Sequence, residues 1–211
     1  MAALILDKSL ERHLIARRRR LGIDHWDEVW DGVYVMAPPP DIEHQVFGFD
    51  LIEVLTLIVK RAGLGEVFSG VAISDHKEAW RKNFRVPDAS VFMNGNPSED
   101  CETHWFGGPD LAVEIVSPND RSRKKIPFYE KVGTRELLIV DRKPWCLSLF
   151  RLIDGKLCEV GKSTLVEPMT LASEVVPLSF QLIESAERPA IRLKHLQDGR
   201  QWTVEARKRP K

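Results

Sequence analysis

The sequence predicts a mixed domain, α+β or α/β, with a mixed central sheet flanked by helices and extra β-hairpins at its N- and C-terminal sides. Three observations carry that expectation. Short β-rich runs recur from residue 28 to near the C-terminus. Asp-Gly pairs at Asp31-Gly32, Asp154-Gly155 and Asp198-Gly199 fall between such runs, where two-residue turns are favoured. Helical spacing is confined to a few segments, and one of them follows a short apolar strand and precedes two more.

The elements follow in order. Residues 1–25 read as a helical lead-in with Leu10, Leu14 and Ile15 on one face. "EVWDGVYVMAPPP" (28–40) reads as a hairpin, ended by prolines that cannot donate to a ladder. From Asp41 to Ala62 the spacing turns helical, through Val46, Phe49, Ile52 or Glu53, Leu55 and Val59. Asp41 suits the N-cap, and Gly63 and Gly65 suit the end. "GEVFSGVAISD" and "FRVPDASVFM" read as strands, and Asn94 to Gly108 as an exposed, irregular loop. Leu111 to Val116 is strand-like. The helix after it starts near Arg123 to Lys125, with Pro127 in its first turn, and stops at Gly133. "RELLIVDRKPWCLSLFRL" reads as two strands around a turn. Short strands follow, and "IRLKHLQDGRQWTVEA" is a last hairpin.

Composition narrows the class. The 211 residues are 43% hydrophobic, enough for a packed core. Formal net charge is zero, so no global electrostatic case for nucleic acid exists. Cations are instead clustered: Arg17 to Arg20, the 120–131 segment, and the stretch after Glu187. The three cysteines lack paired spacing, which argues against disulfides and a thiolate zinc site. Cys146 and Cys158 read as small core hydrophobes. No apolar run is long enough to span a bilayer, and the N-terminal "ALIL" precedes the basic run rather than following it. A cytoplasmic protein without a membrane partner is expected. No phosphate-binding glycine motif is present, so no nucleotide cofactor is implied.

The chemistry concentrates in two acids. A strand alternates faces, so Asp110, Ala112, Glu114 and Val116 share one face and Leu111, Val113 and Ile115 share the other, the expected core face. A carboxylate centred in a strand is costly to bury unless it is paired, protonated or bound to a cation. Glu114 therefore needs a partner, either an arginine or a metal ion. Asp88, in "RVPDASVF", sits in an equally apolar setting, 26 positions earlier (114 minus 88). That separation suits neighbouring strands joined by a loop. Two carboxylates and little else is how proteins hold Mg²⁺, which keeps several waters and takes phosphate oxygens. Lys124 and Lys125 follow closely and could offset developing negative charge.

Six stretches in order, "EVWDGVYVMAPPP", "EHQ", "VPDASVF", "PDLAVEIVSP", "KKIPFYEKVG" and "ELLIVDRKPW", resemble the Uma-type restriction endonuclease family of the PD-(D/E)XK nuclease superfamily. They lie within roughly residues 26–182. The resemblance implies a restriction-endonuclease-like fold and an Mg²⁺-dependent (or Mn²⁺-dependent) endonuclease, a hydrolase acting on phosphodiester bonds. In it Asp88 and Glu114 hold the metal, and Lys125, four residues before Tyr129, assists. Glu28, His44 and Asp110 match accessory positions. Arg121, Arg123 and Lys124 would contact nucleic acid, taken as DNA, and a homodimer is compatible with it. The resulting division is a lead-in (1–25), a nuclease domain (26–182) and a basic β-hairpin extension (183–211). One departure stands out: the superfamily pattern has a lysine two positions after the acid, and here Ile115 and Val116 follow Glu114. Either Lys125 takes that role, or the fold serves a non-enzymatic nucleic-acid-binding or interaction protein.

Overall fold

Asp31 and Gly32 both adopt positive φ, 47° and 82°, which matches the right-handed twist of the strands they join. The strands Glu28–Trp30 and Val33–Val35 pair antiparallel around them, as the Asp-Gly signal predicts. In this computed structural model residues 8–117, 122–186 and 188–206 are described. Arg121, one of the expected nucleic-acid contacts, lies outside them, as do residues 1–7 and 207–211 of the two terminal segments.

Among the described residues three sheets form the fold. The central one has six strands, in the order Lys156–Thr164, Trp145–Ile153, Glu136–Arg142, Leu111–Ile115, Ala89–Met93 and Gly65–Phe68. Leu111–Ile115 and Glu136–Arg142 run parallel, and every other neighbour pair in the sheet is antiparallel. A parallel pair needs a crossover. Here that crossover carries a 3₁₀ turn, Ser122–Lys125, and the short helix Ile126–Lys131. Pro127 occupies the helix's first turn, and Gly133, at φ 79°, lies just past its end. The Glu28 hairpin belongs to a second, more irregular sheet. That sheet also takes in Glu99–Asp100 and Trp105–Phe106, so the segment expected as a loop contains two short strands.

A third, four-stranded sheet ends with the hairpin Ala190–His195 and Gln201–Glu205. Ile191, Leu193 and Val204 of this hairpin join Leu178 and Phe180 in one core with Leu111, Val113 and Ile115. Helix Ile42–Leu55 covers the same core through Phe47, Leu51, Val54 and Leu55.

The Glu114 side of the strand is also covered, which differs from the one-core expectation. Ala112 packs with Phe92, Leu137, Ile139, Phe128 and Tyr129 in a second core. A strand inside a sheet with helices on both faces is buried on both, and alternation no longer marks an outside.

Other details depart from the sequence reading. In helix Ile42–Leu55, Phe49 is 69% exposed, and the buried side runs through His44, Phe47, Leu51, Val54 and Leu55. Apolar residues surround this helix, so spacing alone does not select the stripe. Tertiary contacts of His44 and Asp41 set its rotation instead, as described below. Leu10 is half-exposed on the first helix, Lys8–Arg20. Cys146 is buried, whereas Cys158 is exposed on the outermost strand of the central sheet. Among the described residues no helix is long and apolar enough to cross a membrane.

Candidate active site

The antiparallel register of Ala89–Met93 on Leu111–Ile115 pairs Ala89 with Val113. One further step sets Asp88 opposite Glu114. Two hydrogen bonds fix that approach. The Asp88 amide donates to Val113 O at 3.1 Å, and the Ile115 amide donates to Asp88 Oδ2 at 2.7 Å. The two acids that stood 26 positions apart thus meet at the C-terminal end of one strand.

Lys125 comes to the same place from the crossover. Its ammonium donates to both Glu114 oxygens, 2.9 Å from each. It lies 2.9 Å from Glu28 Oε1 as well. Tyr129, one helical turn on, donates its hydroxyl to Glu114 Oε1 at 2.5 Å. Glu28 is held independently: the Val86 amide donates to Oε1 at 2.8 Å, and Trp30 Nε1 donates to Oε2 at 2.6 Å. Glu114 is 3% exposed and Lys125 9%.

His44 closes the opposite side. Asp41 caps its helix by accepting from the His44 amide at 2.7 Å. The His44 ring then lies with Nε2 3.0 Å from Ile115 O and 3.3 Å from Asp88 Oδ1. Both partners only accept, so Nε2 carries the hydrogen. Arg142 ties the cap to the strand end, donating to Val116 O and to Asp41 Oδ1, each at 3.2 Å.

Electrostatics follow from burial and crowding of like charge. Burial pushes the Glu114 carboxyl up to about 8; Lys125 and Tyr129 pull against it, and Asp88 and Glu28 add to it. Burial opposes the charge on Lys125, but Glu114 and Glu28 outweigh it and hold the amine protonated. Burial also opposes a charge on His44, and Asp88 reverses that, leaving its pKa raised. Tyr129 is raised well above its ordinary value by burial and by Glu114.

The structure therefore brings together Asp88, Glu114, Lys125, Glu28 and His44. It does not bring Asp110 to them. Asp110 sits before the other end of the strand, where it accepts from the Met93 amide, Asn96 Nδ2 and Arg135 Nη1 and pins the 94–108 segment. Of the expected nucleic-acid contacts, Lys124 is exposed, and Arg123 holds Asp141 through two hydrogen bonds, 2.8 and 2.7 Å. Sequence reasoning assigned no role to Trp30 or Arg142, and noted Tyr129 only as a spacing mark. The four-residue step from Lys125 to Tyr129, one face of a helix, was the available signal for the last.

A model of the family described as "Uma2: Putative restriction endonuclease" matches residues 24–184. Among solved structures, the fold is similar to one described as a putative nuclease belonging to DUF820 from Anabaena variabilis. That likeness has a TM-score of 0.54 and 21% sequence identity, over 70% of this chain and 80% of the other. No curated protein matches the chain.

Proposed function

The chain belongs to the Uma2 family, described as "putative restriction endonuclease", and from that premise we propose that it is an endonuclease hydrolysing phosphodiester bonds, with DNA as the substrate. In this reading Asp88 and Glu114 hold one Mg²⁺ or Mn²⁺ ion and Lys125 assists. The observation that carries it is the convergence of Asp88, Glu114 and Lys125 at one strand end, from three separate parts of the chain.

The donor set suits such an ion. When Glu28, Asp88 and Glu114 are all ionised and His44 is neutral, the three carboxylates outnumber the single ammonium of Lys125 and leave an excess of two negative charges (three minus one). A divalent cation balances that excess. Among the described residues no group of three or more His, Cys, Asp and Glu is arranged to hold a metal ion. The fit is therefore to a hard cation that needs only two carboxylates, the rest of its shell coming from water and phosphate. When bound, such an ion polarises a phosphoryl oxygen and lowers the pKa of its water.

The chain's own residues do the remaining work. Asp88 is oriented by the Ile115 amide and by His44, so its position is set before any substrate arrives. Lys125 stays protonated and presents positive charge beside the acids, where it can stabilise charge developing on a scissile phosphate. Exposed Lys124 supplies charge for the nucleic-acid backbone.

One observation favours a second reading, a nucleic-acid-binding protein on the same fold without catalysis: no lysine stands two positions after Glu114. The direct contact of Lys125 with Glu114 weighs against it. Incubation of supercoiled plasmid with the purified protein separates the two. Nicking that requires Mn²⁺ or Mg²⁺ and disappears in Asp88→Asn and Glu114→Gln is expected. Retained DNA binding with no metal-dependent nicking would turn the assignment to the second reading.

A further inference from the structure

The Lys125 ammonium is equidistant from the two Glu114 oxygens, at 2.9 Å. That is the chelating position of the carboxylate, and no second cation can take both oxygens while the ammonium remains there. Its third contact, at 2.9 Å, is Glu28 Oε1. Both Glu28 oxygens already have protein donors, the Val86 amide on one and Trp30 Nε1 on the other. Glu28 is thus fixed in place, with little capacity left for a metal ion. An ammonium left without a partner at this depth is strongly disfavoured, so Lys125 cannot simply be released when Glu114 changes partner.

We propose that Glu28 is a positioning residue that retains the Lys125 ammonium when a divalent cation takes Glu114, so that the lysine passes from two carboxylates to one. This rests on the metal-dependent nuclease reading. It assigns the two buried glutamates different tasks: Glu114 exchanges an ammonium for a metal ion, and Glu28 never leaves the lysine. The charges agree, since three carboxylates against one divalent ion and one ammonium sum to zero.

The test is a titration of Mg²⁺ and Mn²⁺, metal alone, followed by thermal shift in the full chain. The set is the wild type, Glu28→Gln, Lys125→Met and the double variant. Lys125→Met is expected to tighten metal binding by roughly tenfold, because one competing charge is gone. Glu28→Gln is expected to weaken it by roughly tenfold while Lys125 is present, because the ammonium is then left to Glu114 alone. In the Lys125→Met background the same change should have less than about a third of that effect, the non-additivity of a coupled pair. Trp30→Phe, which removes only one donor to Glu28, should shift binding in the same direction and covers the case in which Glu28→Gln fails to fold. Equal weakening by Glu28→Gln in both backgrounds would overturn the proposal and make Glu28 a ligand. No weakening in either would overturn it as well. A wild type and variants that all ignore both metals would remove the metal reading itself, and this proposal with it. In an Mn²⁺-bound crystal structure the Lys125 ammonium should remain on Glu28 and leave Glu114; an ammonium found off Glu28 would contradict it directly.

Discussion

Lys124 and Lys125 are neighbours in sequence with opposite surroundings. Lys124 is exposed, while Lys125 is buried among Glu28, Glu114 and Tyr129. Lys125→Ala is expected to abolish nicking and Lys124→Ala to cost at most some DNA affinity, both read from initial rates on plasmid. Because Lys125→Ala strips the counter-charge from buried Glu28 and two hydrogen bonds from Glu114, it should also lower stability by about 3–5 kcal/mol in urea denaturation. The raised Glu114 carboxyl has its own signature. A carboxyl that titrates near 4.5 unfolded and about 8 folded keeps its proton in the native state between those values. The unfolded state then binds fewer protons, so stability falls as pH rises from about 4.5 to 8. His44, also raised, adds in the same direction as pH climbs past its ordinary value of 6.5. Urea midpoints of the metal-free protein should therefore decline across that window, and Glu114→Gln should flatten much of the decline.

At the scale of the elements, one cap positions His44 beside Asp88. Asp41 starts helix Ile42–Leu55, accepts from the His44 amide and receives Arg142. Asp41→Ala should cost about 1 kcal/mol, the ordinary value of an N-cap, measured by urea denaturation. It should also loosen His44 from Asp88, seen as a shift of the His44 ring resonances towards those of a free imidazole. Phe49, on the outward side of that helix, behaves oppositely. Despite its size, Phe49→Ser should change stability by no more than about 0.5 kcal/mol. The Asp-Gly turn at residues 31 and 32 also bears on the cluster, since its hairpin delivers both Glu28 and Trp30.

The whole molecule holds together through two cores on either side of the central sheet, and the C-terminal hairpin is part of one of them. Glu136, fully buried, accepts from Arg151, Ser173 and the Glu174 amide and so joins the central sheet to the segment leading into the third. Deleting residues 190–206 would remove Ile191, Leu193, Val204 and Ala206 from that core. Each large apolar side chain there is worth roughly 1.5–3 kcal/mol, and a domain's whole margin is about 5–15 kcal/mol. The shortened chain should lose its cooperative thermal transition by circular dichroism. In the proposed reading, zero formal net charge puts the burden of DNA binding on local cations. Affinity should fall with salt along a shallow slope set by a few phosphate contacts, checked by fluorescence anisotropy between low and moderate salt.

Features that depend on a residue's near neighbours were legible in the chain itself. The turn at Asp31-Gly32, the cap at Asp41, the stop at Gly133 and the helix entrance at Lys125 are decided within a few residues, by φ preference and local hydrogen bonds. The cost of burying a lone carboxylate likewise singled out Asp88 and Glu114 before any contact was known. Contacts between distant segments were not legible. Val86 on Glu28, Arg142 on Asp41 and His44 on Ile115 join segments 58, 101 and 71 residues apart. The outward turn of Phe49, the second core behind Glu114 and the removal of Asp110 to a loop clamp have the same origin. Each was decided by which long-range packing satisfied the most buried groups at once, and periodicity along one segment does not contain that information.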